Sequence, residues 1–237
     1  MRIDKFLSNM GFGSRKEVKV LLKSKAVEVN GTMVKDPKIH VNETADTVSV
    51  DGEPVQYKKH IYLMMNKPQG VVSATEDNYD QTVVDLLGEQ ERHFGPFPVG
   101  RLDKDTEGLL LLTNDGQLAH ELLSPKKHVD KTYFAKINGI VTDEDGESFR
   151  SGVMLDDGYV TKPAQLKILV SGPMSEIELT ITEGKFHQVK RMFQSVGKEV
   201  VYLKRLSMGP LQLDQKLGLG QYRPLTEQEL ELLTRKK

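Results

Sequence analysis

Apolar residues recur at helical intervals at the start of the chain. Ile3, Phe6, Leu7 and Met10 share one face, and Gly11 and Gly13 supply the permissive backbone that ends such a helix. Ser14-Arg15-Lys16-Glu17 then has the S-x-x-E form of a capping box, in which hydroxyl and carboxylate satisfy the open N–H groups of a helix start. The helix it opens turns Val18, Leu21 and Leu22 inward and sets Arg15, Lys19 and Lys23 on its other face. In AVEVNGTMV the pattern changes to alternation around Asn30-Gly31, a strong hairpin signal, and DTVSVDGEPV predicts a further strand and turn. This unit is expected to close near Val55.

QYKKH, Gln56 to His60, reads as a linker, so two domains are expected, over residues 1–58 and 59–237. Beyond it, IYLMMNKP and GVVSAT predict strands broken by Pro68-Gln69-Gly70, and TVVDLL predicts a short helix. Leu109 to Leu112 followed by Thr113-Asn114-Asp115-Gly116 reads as a buried strand ending in a turn. KTYFAKI, PAQLKILV and the alternating EIELTIT predict strands, and VVYLKRLSMGPLQL returns to strand near the end. KFHQVKRMFQSVG has the longer period of a helix, with Phe186, Val189, Met192, Phe193 and Val196 on one side and Gly197 as its stop. Without regular β-α repetition, the mixture predicts an α+β fold around a largely antiparallel mixed sheet.

Composition narrows the class. No apolar run among the 237 residues approaches the roughly 20 needed to span a bilayer. MRIDKFLSNMGFG lacks the apolar core and small-residue cleavage site of a secretory signal, so a cytoplasmic protein with no membrane partner is expected. The absence of cysteine excludes disulfides, thiolate nucleophiles and Cys-based zinc sites. A net charge of −1 argues against a wholly basic nucleic-acid coat. The charge is unevenly spread, however: the first 25 residues hold Arg2, Lys5, Arg15, Lys16, Lys19, Lys23 and Lys25 against Asp4 and Glu17.

Chemistry concentrates in VGRLDKDTEGLLLLTND, where a charged loop is delivered onto the leucine strand. Loops held by rigid strands are common seats of catalytic groups, although Arg101, Asp103, Lys104 and Asp105 could equally form surface ion pairs. DKDTE superficially suggests the D-x-D-x-T motif of aspartyl phosphatases. Glu107 occupies the threonine position, though, and the apolar strand follows the motif when it should precede it. The chain has no phosphate-binding G-x-x-x-x-G-K-[ST] loop, and its six histidines form no H-E-x-x-H or close pair, so no metal site is expected. His187, beside the basic helix, reads as a polar contact or RNA ligand.

Two resemblances sharpen these readings. RIDKFLSNMGFGSRKEVKVLLKSKAVEVNG resembles the core of the S4 RNA-binding domain, which implies phosphate-contacting roles for Arg15, Lys16 and Lys19. GRLDKDTEGLLLLTND, with NKPQGVVSAT, SPKKHVDKTY, EGKFHQVKRMF, VVYLKRLSMGPLQL and YRPLTEQEL in order, resembles the S4-domain-containing pseudouridine synthases of ribosomal RNA over essentially the whole chain. HQVKRMF together with TKPAQL is most similar to the branch acting on small-subunit (16S) RNA; large-subunit enzymes more often carry an arginine-rich form of that helix.

The resemblance implies base flipping and isomerisation of a uridine without a metal or organic cofactor. Asp103 is the implied catalytic carboxylate, acting by covalent attack or proton abstraction. Lys190 aligns with a basic residue expected to hold positive charge beside it, and Tyr133 with a tyrosine that stacks on the target base and helps remove the C5 proton. Arg101 is implied in filling or supporting the space left by the extruded nucleotide, and Leu203 in packing near the flipped base. The implied partner is ribosomal RNA, free or in an assembly intermediate, and a monomer is expected. One alternative is modification of a large-subunit (23S) uridine by the same chemistry; another, of a different class, is a noncatalytic S4-containing RNA-binding or assembly factor.

Overall fold

The computed structural model describes residues 1–124, 127 and 129–235. Pro125, Lys126 and His128 of the SPKKHVDKTY motif, and the last two lysines, lie outside the described residues. The chain forms two compact units, one of Met1–Ile61 with Glu89–Gly95, the other of Tyr62–Gly88 with Pro96–Lys237.

In the first unit, α1 (Ile3–Asn9) and α2 (Arg15–Lys23) pack with a four-stranded antiparallel sheet built from β1 (Val27–Val29), β2 (Thr32–Met33), β3 (Val48–Val50) and β4 (Glu53–Val55), in the order β2-β1-β3-β4. The capping box is formed: the Glu17 amide donates to Ser14 Oγ at 3.3 Å and the Ser14 amide to Glu17 Oε2 at 2.7 Å. Asn30 and Gly31 both take positive φ, 52° and 74°, as a tight hairpin of right-handed twist demands. Ile3, Phe6, Leu7, Val18, Leu22 and Val48 form the core. Tyr57, within the stretch read as a linker, packs its ring 5.3 Å from Phe6. Phe94 packs against the same core from α3 (Glu89–His93) and the residues after it, which no local pattern assigned to this unit.

The second unit is a nine-stranded mixed sheet. Its main path runs β13 (Tyr222–Pro224), β5 (Tyr62–Lys67), β7 (Glu107–Thr113), β11 (Glu199–Met208), β8 (Lys131–Asn138), β10 (Met174–Ile181), β9 (Gln165–Val170). β6 (Phe97–Pro98) adds to β7 and β12 (Leu211–Gln212) to β11; every pairing is antiparallel except β7 with β11. The α+β expectation therefore holds, with the antiparallel character interrupted at one central pair.

Leu109 to Leu112 are completely buried because β7 is central and covered on both faces. Leu109 and Leu111 pack with Leu118, Ala119 and Leu122 of α4 (Gly116–Leu123) and with Leu230 and Leu233 of α7 (Glu227–Thr234). At about 2 kcal/mol per buried leucine, this run anchors the loop that precedes it. β8 and β10 alternate as expected, burying Tyr133, Ala135 and Ile137 and, opposite them, Leu179 and Ile177. Phe193 of α6 (Gln188–Ser195) meets Phe149 of α5 (Asp143–Ser151) edge to face at 5.0 Å.

Three local expectations need correction. TVVDLL is not a helix but a turn: the Thr82 amide and hydroxyl both donate to Asp85 Oδ2, at 2.8 and 2.9 Å, competing with helical bonding. GVVSAT contributes one isolated bridge, Val72 to Thr82, and no strand. The helix of KFHQVKRMFQSVG, α6, starts at Gln188, so Phe186 falls before its first turn and stands 75% exposed, not on the buried side.

Candidate active site

The loop from Gly100 to Thr106 enters β7 beside β11, and three contacts fix that entry. Gly108 lies opposite Arg205 with φ +105°, and a Cβ there would collide with the Arg205 backbone carbonyl, so glycine permits the close strand approach. The Tyr202 hydroxyl donates to Glu107 Oε2 at 2.6 Å. Buried Arg205 donates through Nε to the Leu109 carbonyl at 2.7 Å.

A buried ammonium group organises the loop itself. Lys67, completely buried at the end of β5, donates from Nζ to the carbonyls of Pro68, Asp103 and Thr106 at 3.0, 3.0 and 2.9 Å, and reaches that of Lys104 at 3.4 Å. Burial pushes its pKa down to about 8, against the pull of Asp103, Asp105 and Glu107. The Gly70 amide adds a bond to the Lys104 carbonyl at 2.8 Å. Ser73 closes the strap, its hydroxyl donating to the Leu102 carbonyl at 2.9 Å and accepting from the Leu102 amide at 3.1 Å. NKPQGVVS thus acts as the mount of the loop. Sequence reading missed Lys67; its signal was a lysine at the end of a largely apolar strand.

Asp103 projects from this loop into a small open cleft, which Thr106 and Gly184 also line. Its side chain is 28% exposed, with Lys190 Nζ 3.6 Å from Oδ2 and His187 Nε2 3.6 Å from Oδ1. Both partners come from α6 and its cap. His187 takes a left-handed backbone, φ 48° and ψ 34°, which costs a non-glycine residue about 1–2 kcal/mol. Gln188 holds that turn: its Oε1 accepts from the Lys185 amide and its Nε2 donates to Glu183, both at 2.9 Å.

Lys190 has a closer partner than Asp103. Its ammonium lies 2.6 and 2.7 Å from the two carboxylate oxygens of Asp105. Partial burial alone would raise the Asp105 pKa, yet the bond and charge of Lys190, with His187, outweigh it and hold the carboxyl below its ordinary value. Asp105 was weighed in the sequence only as a surface charge. The arrangement is one ammonium shared between two carboxylates.

Tyr133 from β8 and Leu203 from β11 line the same cleft, 7% and 5% exposed, with Ile181 and Val189 adding apolar wall. Arg101 stands exposed at its rim. The fold therefore gathers Arg101, Asp103, Tyr133, His187 and Leu203 around one cavity with Lys190 against its carboxylate. Arg15, Lys16 and Lys19 belong to the first unit, exposed on α2 away from the core residues Val18 and Leu22. Among the described residues no three His, Asp or Glu side chains gather as metal ligands, and no helix is long and apolar enough to cross a membrane.

A carboxylate flanked by an ammonium and an imidazole, above a tyrosine and aliphatic walls, can hold a planar ring and act on it as nucleophile or base. Residues 61–195 match the RNA pseudouridylate synthase family, and residues 1–48 the S4 domain. Over 234 residues the chain is 59% identical to an uncharacterized RNA pseudouridine synthase of Bacillus subtilis, covering 98% of each. It is 40% identical over 232 residues to the ribosomal small subunit pseudouridine synthase A of Escherichia coli, covering 97% of this chain and 98% of that one. A crystal structure of a pseudouridylate synthase, 36% identical, superposes with a TM-score of 0.69 over 99% of this chain and 100% of the other.

Proposed function

The chain belongs to the RNA pseudouridylate synthase family, and from that premise we propose that it converts one uridine of small-subunit ribosomal RNA to pseudouridine. The reaction is an isomerisation whose atoms balance within the nucleotide. The N1–C1′ bond breaks, the uracil turns, C5 bonds to C1′, and the proton lost from C5 is matched by one gained at N1. No oxidant, reductant or group donor enters.

One observation carries the reading: Asp103 is the carboxylate of the cleft, on a backbone strapped by Lys67 and Ser73, with Lys190 and His187 each 3.6 Å away. It acts on the ribose or the base, by attack or proton abstraction. Tyr133 stacks on the uracil and helps remove the C5 proton, and Leu203 packs beside the ring. Arg101 occupies or braces the space vacated when the nucleotide leaves its stack, a step costing about a few kcal/mol. Arg15, Lys16 and Lys19 meet phosphates outside the cleft and position the RNA without reading its sequence. The enzyme works in the cytoplasm as a monomer, on free RNA or an assembling subunit, with neither metal nor organic cofactor.

The small-subunit target rests on HQVKRMF and TKPAQL and on relatives whose names carry that target. Mapping pseudouridines in ribosomal RNA from cells with and without the protein tests both parts. Loss of a single modification from small-subunit RNA is expected. Loss from large-subunit RNA would refute the target but keep the reaction, and an unchanged map in both subunits would refute the reaction.

A further inference from the structure

Of the eight phenylalanines and seven tyrosines in the chain, two stand exposed: Tyr79 at 95% and Phe186 at 75%. Isolated exposed apolar groups are ordinary on protein surfaces. These two are not scattered, because each adjoins a residue paired with the loop that carries Asp103. Phe186 precedes His187, whose Nε2 lies 3.6 Å from Asp103. Tyr79 precedes Asp80, whose carboxylate pairs at 2.6 Å with Lys104, the residue after Asp103.

Both rings are presented from ordered backbone. The Phe186 ring stacks on the His187 imidazole, centroids 3.7 Å apart and planes 20° from parallel, and the turn beneath is fixed by Gln188. Tyr79 sits in a turn whose amides, its own and that of Asp80, donate to Asp77 Oδ1 at 2.9 Å each. Their neighbours are charged, not apolar: Lys185 precedes Phe186, Lys104 reaches the Tyr79 turn, and Arg101 stands exposed on the same loop. An isolated ring among charges suits a base face better than it suits an apolar protein surface.

We propose that Phe186 and Tyr79 are stacking surfaces for the two bases that flank the extruded uridine. The inference rests on the reading of the cleft as a uridine site. Extrusion leaves each neighbouring base without one stacking partner, and an aromatic ring beside the cleft replaces it. Because every base has a π face, the rings set register without dictating flanking sequence. Lys185 and Arg101 meet the backbone phosphates. The acidic side chains around Tyr79 keep phosphate away on that side, so contact there is with the base alone.

The test uses the full chain and two probes: a short fluorescein-labelled oligouridylate for binding, and a small-subunit RNA transcript labelled with tritium at uridine C5 for turnover. Phe186→Ala and Tyr79→Ala are each expected to raise Kd and KM about five- to hundredfold while changing kcat little. Phe186→Trp and Tyr79→Phe should behave like the parent, whereas Phe186→Leu should behave like the alanine variant. Unchanged Kd and KM in the alanine variants would overturn the proposal, and so would parental affinity in the leucine variant. It is also overturned if the defect appears on assembling subunits but not on protein-free RNA, which would assign the rings to a protein partner. Absence of tritium release from the parent on both the transcript and assembling subunits would refute the uridine reaction, while oligouridylate binding still decides the stacking.

Discussion

Lys190 is bonded to Asp105, at 2.6 and 2.7 Å, and lies a full ångström farther from Asp103, at 3.6 Å. The two acids sit two positions apart on a loop whose backbone is held by Lys67 and Ser73, and the one ammonium serves both. Lys190→Met should lower the single-turnover rate on saturating RNA about 10- to 100-fold, by removing the positive charge 3.6 Å from Asp103. Lys190→Arg keeps the charge and should retain more activity, although its planar fork fits a shared position less well. Asp105→Asn should leave turnover higher than Lys190→Met does, because the ammonium stays within reach of Asp103. Equal rates for the Met and Arg variants would show that charge at this position is irrelevant to the reaction.

Among the described residues Asp103 makes no short side-chain contact whose loss would unfold the protein; its ion contacts are both 3.6 Å. Asp103→Asn should therefore shift stability by only about 0.5 kcal/mol and leave RNA affinity intact while abolishing tritium release. Thermal melting and release from C5-labelled RNA measure the two sides. Appreciable release by the variant would remove Asp103 from the chemistry.

Lys67 offers a test in which stability and activity part. Its pKa of about 8 lies below that of an unfolded lysine, so between the two values the unfolded chain binds more protons. This group alone therefore makes the fold more stable as pH rises through that interval. A neutral amine, however, has two N–H donors for four carbonyls, and the loop carrying Asp103 loosens. Turnover should fall above about pH 8 without a matching fall in melting temperature. Lys67→Met should cost on the order of 3 kcal/mol, by leaving loop carbonyls unpaired.

Replacing Arg15, Lys16 and Lys19 together with alanine should weaken RNA binding and flatten its salt dependence, by up to about 0.7–0.9 in slope per lost phosphate contact. Their exposure on α2 predicts unchanged folding. If the first unit only docks RNA, saturating substrate should recover much of the rate. An unchanged salt slope would return all three to ordinary surface lysines and arginine.

What could be read from sequence was whatever local chemistry decides. The Ser14–Glu17 box, the Asn30-Gly31 hairpin and the leucine strand each depend on residues within a few positions, and each formed. TVVDLL failed because Thr82 and Asp85 offer the backbone a turn as good as a helix. Phe186 obeyed the helical spacing, but His187 in the left-handed region moved the helix start beyond it. Lys67 could not be found locally, since three of its four carbonyl partners lie 36 to 39 positions away in the chain. The bond from Lys190 to Asp105 is equally non-local, separated by 85 positions.

The membership of Glu89–Gly95 in the first unit bears on how the chain is made. Phe94 completes the apolar cluster around Phe6, and His93 Nε2 lies 2.8 Å from the Ser8 carbonyl. Synthesis proceeds from the N-terminus, so residues 1–61 emerge first but lack these partners until residue 95 has followed. The N-terminal unit is therefore not a cassette that one cut can remove or transplant. A fragment ending at Ile61 would expose the surface Phe94 covers, and a fragment starting at Tyr62 would carry that ring without its pocket.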